Sequence, residues 1–146
     1  MNQSERIFRK LCPGDVEMVV RMETDFRSGF VCRENAERFL ENPGNWLFAC
    51  VENRRILGFA YGYELNQLNN IGNMLYIHEV GVLPEFQRQG IGKGILNGIR
   101  DLCKLTGVCR FFLFAEKSNT AACALYEQAG GVTAHDDDVA YFFSNL

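Results

Sequence analysis

The chain has 146 residues, 47% of them hydrophobic and 23% charged, with a formal net charge of −3. That length suits one domain with room for a real core. The mild acidity without a basic stripe excludes a nucleic-acid partner, and no apolar run is long enough to span a bilayer, so no membrane association is expected.

In chain order, Ile7 to Leu11 reads as a short strand. Pro13-Gly14-Asp15 reads as a turn, with Asp15 as the cap of a helix in which Val16, Val19, Val20, Glu23 and Phe26 recur at helical spacing as far as Arg27. Ser28-Gly29 breaks it, and Glu34 to Glu41 forms a second short helix on an Ala36, Phe39 and Leu40 stripe, ended by Asn42-Pro43-Gly44-Asn45. Trp46 to Glu52 and Ile56 to Leu65 read as a β-hairpin across Asn53-Arg54-Arg55, with Gly58 and Gly62 marking weak points or a close backbone approach. The polar loop Asn66 to Asn70 leads to a long strand, Met74 to Val82. Simple alternation places Leu75, Ile77, Glu79 and Gly81 on one face of it and Tyr76, His78, Val80 and Val82 on the other.

Gly92 to about Leu105 reads as a helix, stopped by Thr106-Gly107. Arg110 to Ala115 is a nearly continuous apolar run, the pattern of a strand buried on both faces. Asn119 to Ala129 reads as a helix capped by Ser118 or Asn119 and ended by Gly130-Gly131, and Val139 to Phe143 as a final strand. The whole is a single α/β domain, residues 1–146, with a mixed sheet and a parallel β-α-β crossover.

The polar start, Met1 to Arg6, carries no secretory pattern, so a cytoplasmic location is expected, with Cys12, Cys32, Cys50, Cys103, Cys109 and Cys123 as reduced, buried thiols. His78 and His135 lack ligand partners at metal spacing, so no metal is expected.

The stretch from Val80 to Gly94 is strand, glycine-bearing loop, then helix, the recipe for an anion site built from backbone N–H groups. A nucleotide P-loop fails because Gly92-Lys93 is followed by Gly94, and neither glycine pair completes a dinucleotide fingerprint. Gln87-Arg88-Gln89-Gly90-Ile91-Gly92 instead resembles the acetyl-coenzyme-A loop of the GCN5-related N-acetyltransferases (GNAT), Gln/Arg-x-x-Gly-x-Gly/Ala. Asn119, Ala122, Tyr126 and Gly130 match that family's Asn-x-x-Ala-x-x-x-Tyr-x-x-x-Gly helix, one crossover later and in the right order.

The resemblance implies the GNAT fold, a central twisted mixed sheet flanked by helices. It implies acetyl-CoA as cosubstrate, its pantetheine paired along Val80, Gly81 and Val82 and its pyrophosphate on N–H groups from Arg88 through Gln89, Gly90, Ile91 and Gly92 to Lys93. Arg88 and Lys93 then meet phosphates or are solvated charges, and Asn119 holds the pantetheine or only caps its helix. Acetyl transfer needs a neutral amine, so Glu79 is the expected base, or else it binds the substrate ammonium. Tyr126 is the expected acid for the departing thiolate, although by position alone it reads as a core residue.

Tyr76-Ile77-His78-Glu79-Val80-Gly81-Val82 is similar to the Tyr-Ile-Tyr-Asp-Leu-Ala-Val strand of the small aminoglycoside 3-N-acetyltransferases, with Glu79 in place of aspartate and His78 in place of tyrosine. The expected substrate is then a small-molecule amine, an aminoglycoside, acetylated directly in a ternary complex. Its ammonium groups would meet Glu79, Glu116 and the run Asp136-Asp137-Asp138, which otherwise reads as a solvated turn. A protein N-acetyltransferase and a non-catalytic acyl-CoA-binding module are the alternatives. The aromatic end Tyr141-Phe142-Phe143 points to sheet or homodimer packing.

Overall fold

Chain order runs β1 (Ile7–Lys10), α1 (Val16–Phe26), α2 (Arg33–Glu41), β2 (Asn45–Glu52), β3 (Arg55–Leu65), β4 (Asn73–Val82), α3 (Ile91–Thr106), β5 (Val108–Leu113) and α4 (Thr120–Gln128). This is a computed structural model, describing residues 5–26, 32–69 and 71–146. The expected helix end at Arg27, the break at Ser28-Gly29, the start Met1 to Ser4 and Asn70 lie outside the described residues.

The five strands form one sheet in sequence order, the first four antiparallel and β5 parallel to β4. The β2–β3 turn places Asn53 (φ 51) and Arg54 (φ 59) in the left-handed region, as a two-residue hairpin turn matched to strand twist requires. Asparagine accepts that conformation readily.

Two apolar layers cover the sheet. On one face α3 lays Ile91, Ile95, Ile99 and Cys103, spaced four apart, against Phe48, Leu57, Ala60, Leu75 and Ile77. On the other, α1 and α2 lay Val16, Val19, Met22, Ala36 and Leu40 against Leu47, Ala49, Val51 and Phe59. Each fully buried side chain of this size contributes about 1.5–3 kcal/mol relative to exposure. Gly107 (φ 78) ends α3, its N–H donating to the Cys103 carbonyl.

Three expectations change. Val139 to Phe143 forms no strand: residues beyond Gly130 have no regular structure apart from a turn, and Tyr141, Phe142 and Phe143 are at least 80% exposed. The run around Arg110 is not a doubly buried strand but the sheet edge, paired with β4 alone, with Cys109 and Arg110 exposed. Among the described residues, no strand pairs with its outer edge to match its apolar content. Of the cysteines, all six are unpaired, but only Cys50 and Cys103 are buried.

Asp15 also does a different job from capping α1. It sits in a 3-10 turn, Pro13–Asp15, and accepts the Cys12 N–H at 2.8 Å and both guanidinium nitrogens of Arg9 at 2.7 and 2.8 Å. The Arg9 hydrogen bonds, aided by Cys12 and opposed by burial, pull its carboxyl from the ordinary 3.8 down to about 2. A folded pKa below the unfolded one stabilises above the unfolded value, and the contribution fades as pH falls toward the folded one. Asp15→Asn should therefore lose about 1–2 kcal/mol at neutral pH, allowing for the partly solvated Arg9. Urea unfolding should show the gap from wild type closing between about pH 4 and pH 2.

Candidate functional site

The site begins at an irregularity in β4. Tyr61 pairs with Glu79 and Gly62 with Ile77, so His78 is an extra residue with no partner on β3. Such a bulge bends the strand and reverses the facing of everything after it. Leu75 and Ile77 face α3, and so do Val80 and Val82, which pack with that cluster. Glu79, the cross-strand partner of Tyr61, is turned to the α1–α2 face instead. The simple alternation that put Glu79 with Ile77, and Val80 with Tyr76, is thereby overturned. Gly62 makes the bulge sterically possible, since a Cβ there would lie 1.8 Å from the Tyr76 carbonyl oxygen.

Facing this way, Glu79 is half-buried and lines an open cleft of about 550 Å³ with Asp25, Phe26, Phe59, Gly81 and Glu85. Phe26 stands edge-on to Phe59, ring centroids 4.9 Å apart, and forms the apolar wall. Arg55 bridges Asp25 (3.3 Å) and Glu85 (3.4 Å). Tyr61 carries a pKa pushed up to about 12, first by burial and then by the Glu79 charge, so its hydroxyl stays protonated beside the carboxylate. His78 Nδ1 lies 3.0 Å from the Tyr76 hydroxyl, and its ring lies 5.5 Å from that of Tyr61.

The cleft adjoins a gap in the sheet. Pairing of β4 with β5 ends at Ile77–Leu113, while β3 continues to pair with β4 as far as Val82. Among the described residues, Val80, Gly81 and Val82 thus have a strand on one side only, leaving their other edge open to an extended ligand. Past Pro84–Phe86 the chain turns through Arg88 (φ 60) and Gly90 (φ 81) into α3. Gly90 caps α3 without a side chain, and a Cβ there would meet nothing within 4 Å. The Gly94 N–H returns to the Gly90 carbonyl, whereas the N–H groups of Ile91, Gly92 and Lys93 precede the first intrahelical bond. Open space above unpaired N–H groups at a helix N-terminus fits a phosphate.

The two glycines have different duties. Gly92 is buried, and a Cβ there would lie 2.9 Å from Leu125, so it admits α4 against α3 rather than clearing room for a phosphate. Gln87 turns its amide back to the Val82 carbonyl (3.2 Å), and Gln89 accepts from Arg6 (2.7 Å), so both side chains brace the loop. Arg88 and Lys93 are exposed.

On α4, Asn119 is the N-cap, its Oδ1 accepting the Ala122 N–H at 3.1 Å and leaving its NH₂ to donate elsewhere. Tyr126 is half-buried; burial, and after it the neighbouring Cys123, raises its pKa. Tyr126, Glu116 and Asp136 to Asp138 are not in the wall of the cleft beside Glu79. Glu116 and the three aspartates are exposed. Among the described residues, no group of three or more His, Cys, Asp or Glu is placed to hold a metal, and no helix is long and apolar enough to cross a membrane.

Sequence reasoning missed Asp25, Phe26, Phe59, Tyr61 and Glu85. The first two arrive by the packing of α1 on the sheet, and only the Gly81–Phe59 register would have pointed to the third.

Residues 16–131 match the family model described as Acetyltransferase (GNAT) family. By sequence the chain is similar to the mycothiol acetyltransferase of Pseudarthrobacter chlorophenolicus, 34% identical over 101 residues, covering 68% of this chain and 31% of that protein. It is similar also to the ribosomal protein bS18-alanine N-acetyltransferase of Escherichia coli, 39% identical over 54 residues, covering 37% of this chain and 36% of that one. The match thus spans about a third of the length of these curated relatives. By structure, an aminoglycoside acetyltransferase from an uncultured soil metagenomic sample, solved with sisomicin, superposes with a TM-score of 0.83 over 97% of this chain and 96% of that one. The identity is 20%, so this likeness carries the fold alone.

Proposed function

The chain belongs to the GNAT acetyltransferase family, and from that premise we propose that it transfers acetyl from acetyl-CoA directly to the primary amine of a cationic small molecule, an aminoglycoside. The observation that carries the acceptor class is the cleft at the β4–β5 gap, where Glu79 faces one open space with an apolar wall, beside Asp25 and Glu85, which share Arg55. A compact cationic acceptor meets Glu79 directly and competes with Arg55 for Asp25 and Glu85, whereas a peptide brings one α-amine and needs a long groove. The fold shared with the sisomicin-bound enzyme agrees with this choice, and the sequence relatives bear other names.

Bound acetyl-CoA supplies an activated thioester. The free edge of Val80, Gly81 and Val82 pairs with its pantetheine arm, which the Asn119 amide also meets. The N–H groups from Arg88 to Lys93 take the pyrophosphate, with Gly90 keeping that space clear. Glu79 removes the proton from the acceptor ammonium, directly or through water, and a backbone N–H near Val80 donates to the oxygen that becomes negative in the transition state. Tyr126, held protonated by burial, gives its proton to the leaving thiolate.

The test is thiol release from acetyl-CoA against an aminoglycoside panel and a set of peptides with N-terminal alanine. Turnover of aminoglycosides with kcat/KM at least tenfold above any peptide is expected. Turnover of peptides alone overturns the acceptor assignment and puts the peptide reading in its place.

A further inference from the structure

Arg55 stands at the start of β3, partly exposed, beside the acceptor cleft. Its Nε lies 3.3 Å from Asp25 and a terminal nitrogen 3.4 Å from Glu85, so one guanidinium ties α1 to the turn after β4. Both contacts are long, since charge-assisted hydrogen bonds run at about 2.7–2.9 Å. The same chain shows what a tight pair looks like, in Arg9 on Asp15 with bonds of 2.7 and 2.8 Å. Asp25 and Glu85 are in the wall of the cleft and Arg55 is not. It therefore balances two carboxylates without occupying the space that they line. A carboxylate has about four lone-pair sites, so an ammonium can enter from the cleft before the arginine leaves.

We propose that Arg55 is the resident counter-ion of this cleft. It holds Asp25 and Glu85 while the cleft is empty and gives them up to a second ammonium of the acceptor, the first being at Glu79. Three observations favour an exchangeable cation over a fixed strut. The Asp25 side chain is only 16% exposed, where a carboxylate without a partner is costly, so the empty cleft needs a cation there. Asp25 also lies 3.6 Å from Arg21, and so keeps a counter-charge during the exchange. The departing guanidinium has a second place to rest, since its carbon is already 5.8 Å from the Phe86 ring centroid, within cation–π reach.

The consequence is selection by charge count. An acceptor with one ammonium spends it at Glu79 and finds Asp25 and Glu85 already balanced, whereas one with two or more gains a second anchor. This step rests on the acceptor reading above and extends it from the sign of the charge to the number of charges.

Arg55→Gln removes the charge and keeps an extended polar side chain. It should lower the KM for an aminoglycoside roughly fivefold at low salt, with kcat unchanged. That difference should shrink in about 0.5 M salt, where exposed charges are screened. Arg54→Gln makes the same change in net charge at an exposed neighbour outside the cleft wall, and should leave the KM where it was. A fixed strut gives the opposite sign, because its loss misplaces both carboxylates. A raised or unchanged KM in Arg55→Gln therefore overturns the proposal, as does an equal fall in Arg54→Gln. Displacement is read without turnover, from the Nε–H resonance that the isotope-labelled full chain shows and Arg55→Gln lacks. Millimolar spermine should shift it, and butylamine at the same concentration should not. No shift with either spermine or an aminoglycoside, or an equal shift with butylamine, overturns the exchange. Absence of turnover with every aminoglycoside removes the acceptor reading, while the spermine shift still decides the role of Arg55.

Discussion

Gly62→Ala should cost roughly 3 kcal/mol or more of folding stability, at the upper end of what overpacking a core does. The reason is local and specific. The added Cβ would fall 1.8 Å from the Tyr76 carbonyl oxygen and 2.8 Å from its carbon, backbone atoms that no rotamer change can move. Relief requires β3 and β4 to separate or the bulge at His78 to be expelled. Expulsion shifts the register by one residue and returns Glu79 to the face of Ile77, among apolar groups packed under α3. Any variant that does fold should therefore also lose acetyl transfer. Gly14→Ala is the control, because its Cβ would meet only the Cys12 sulfur at an ordinary 3.8 Å, and it should change stability by no more than about 0.5 kcal/mol. Urea melts of the two variants check the pair; a Gly62→Ala protein within about 1 kcal/mol of wild type would show that the bulge is dispensable.

That one glycine separates what is legible in the sequence from what is not. Helical periodicity, the hairpin, the glycine loop and the α4 motif are short-range patterns, and the structure places the corresponding elements within a few residues of expectation. Gly62 could be flagged as a close approach, but its partner could not be named, since Tyr76 reaches it only after β3 and β4 pair. The bulge leaves one local trace, a change of phase from odd apolar positions (Leu75, Ile77) to even ones (Val80, Val82) across the polar pair His78-Glu79, which a single alternation run through the whole strand passes over. Asp25 and Glu85 join Glu79 through the packing of α1 and the turn after β4, contacts with no fixed sequence spacing. Gly92 looked like a phosphate residue because the loop motif contains it, whereas Leu125, thirty-three residues away, is what it accommodates. The end Val139 to Phe143 has the residues of a strand and pairs with nothing among the described residues. Pairing is a property of two segments, and a sequence displays only one at a time.

Glu79→Gln should lower kcat by roughly 10²–10⁴ at neutral pH, the range typical of losing a general base. The side chain is isosteric, the residue is half-buried at a strand position, and Tyr61 opposite it stays protonated and can donate to an amide oxygen as to a carboxylate. The fold should therefore survive, and thermal melts of both proteins should agree within a few degrees. The pH profile carries the discrimination. A base is needed only while the acceptor amine is an ammonium, so raising the pH toward the amine's own pKa supplies the neutral nucleophile from solution. The ratio of wild-type to variant kcat should then shrink with pH, with little change in the acceptor KM. Were Glu79 only a counter-charge for the substrate, the loss would fall on the acceptor KM instead, with kcat spared at saturation. Tyr126→Phe should behave in a third way, lowering kcat with no rescue at high pH, because a departing thiolate gains nothing from a scarcer proton supply. A Glu79→Gln enzyme whose kcat matches wild type across the whole range would leave the bulge without the catalytic purpose that its orientation of Glu79 implies.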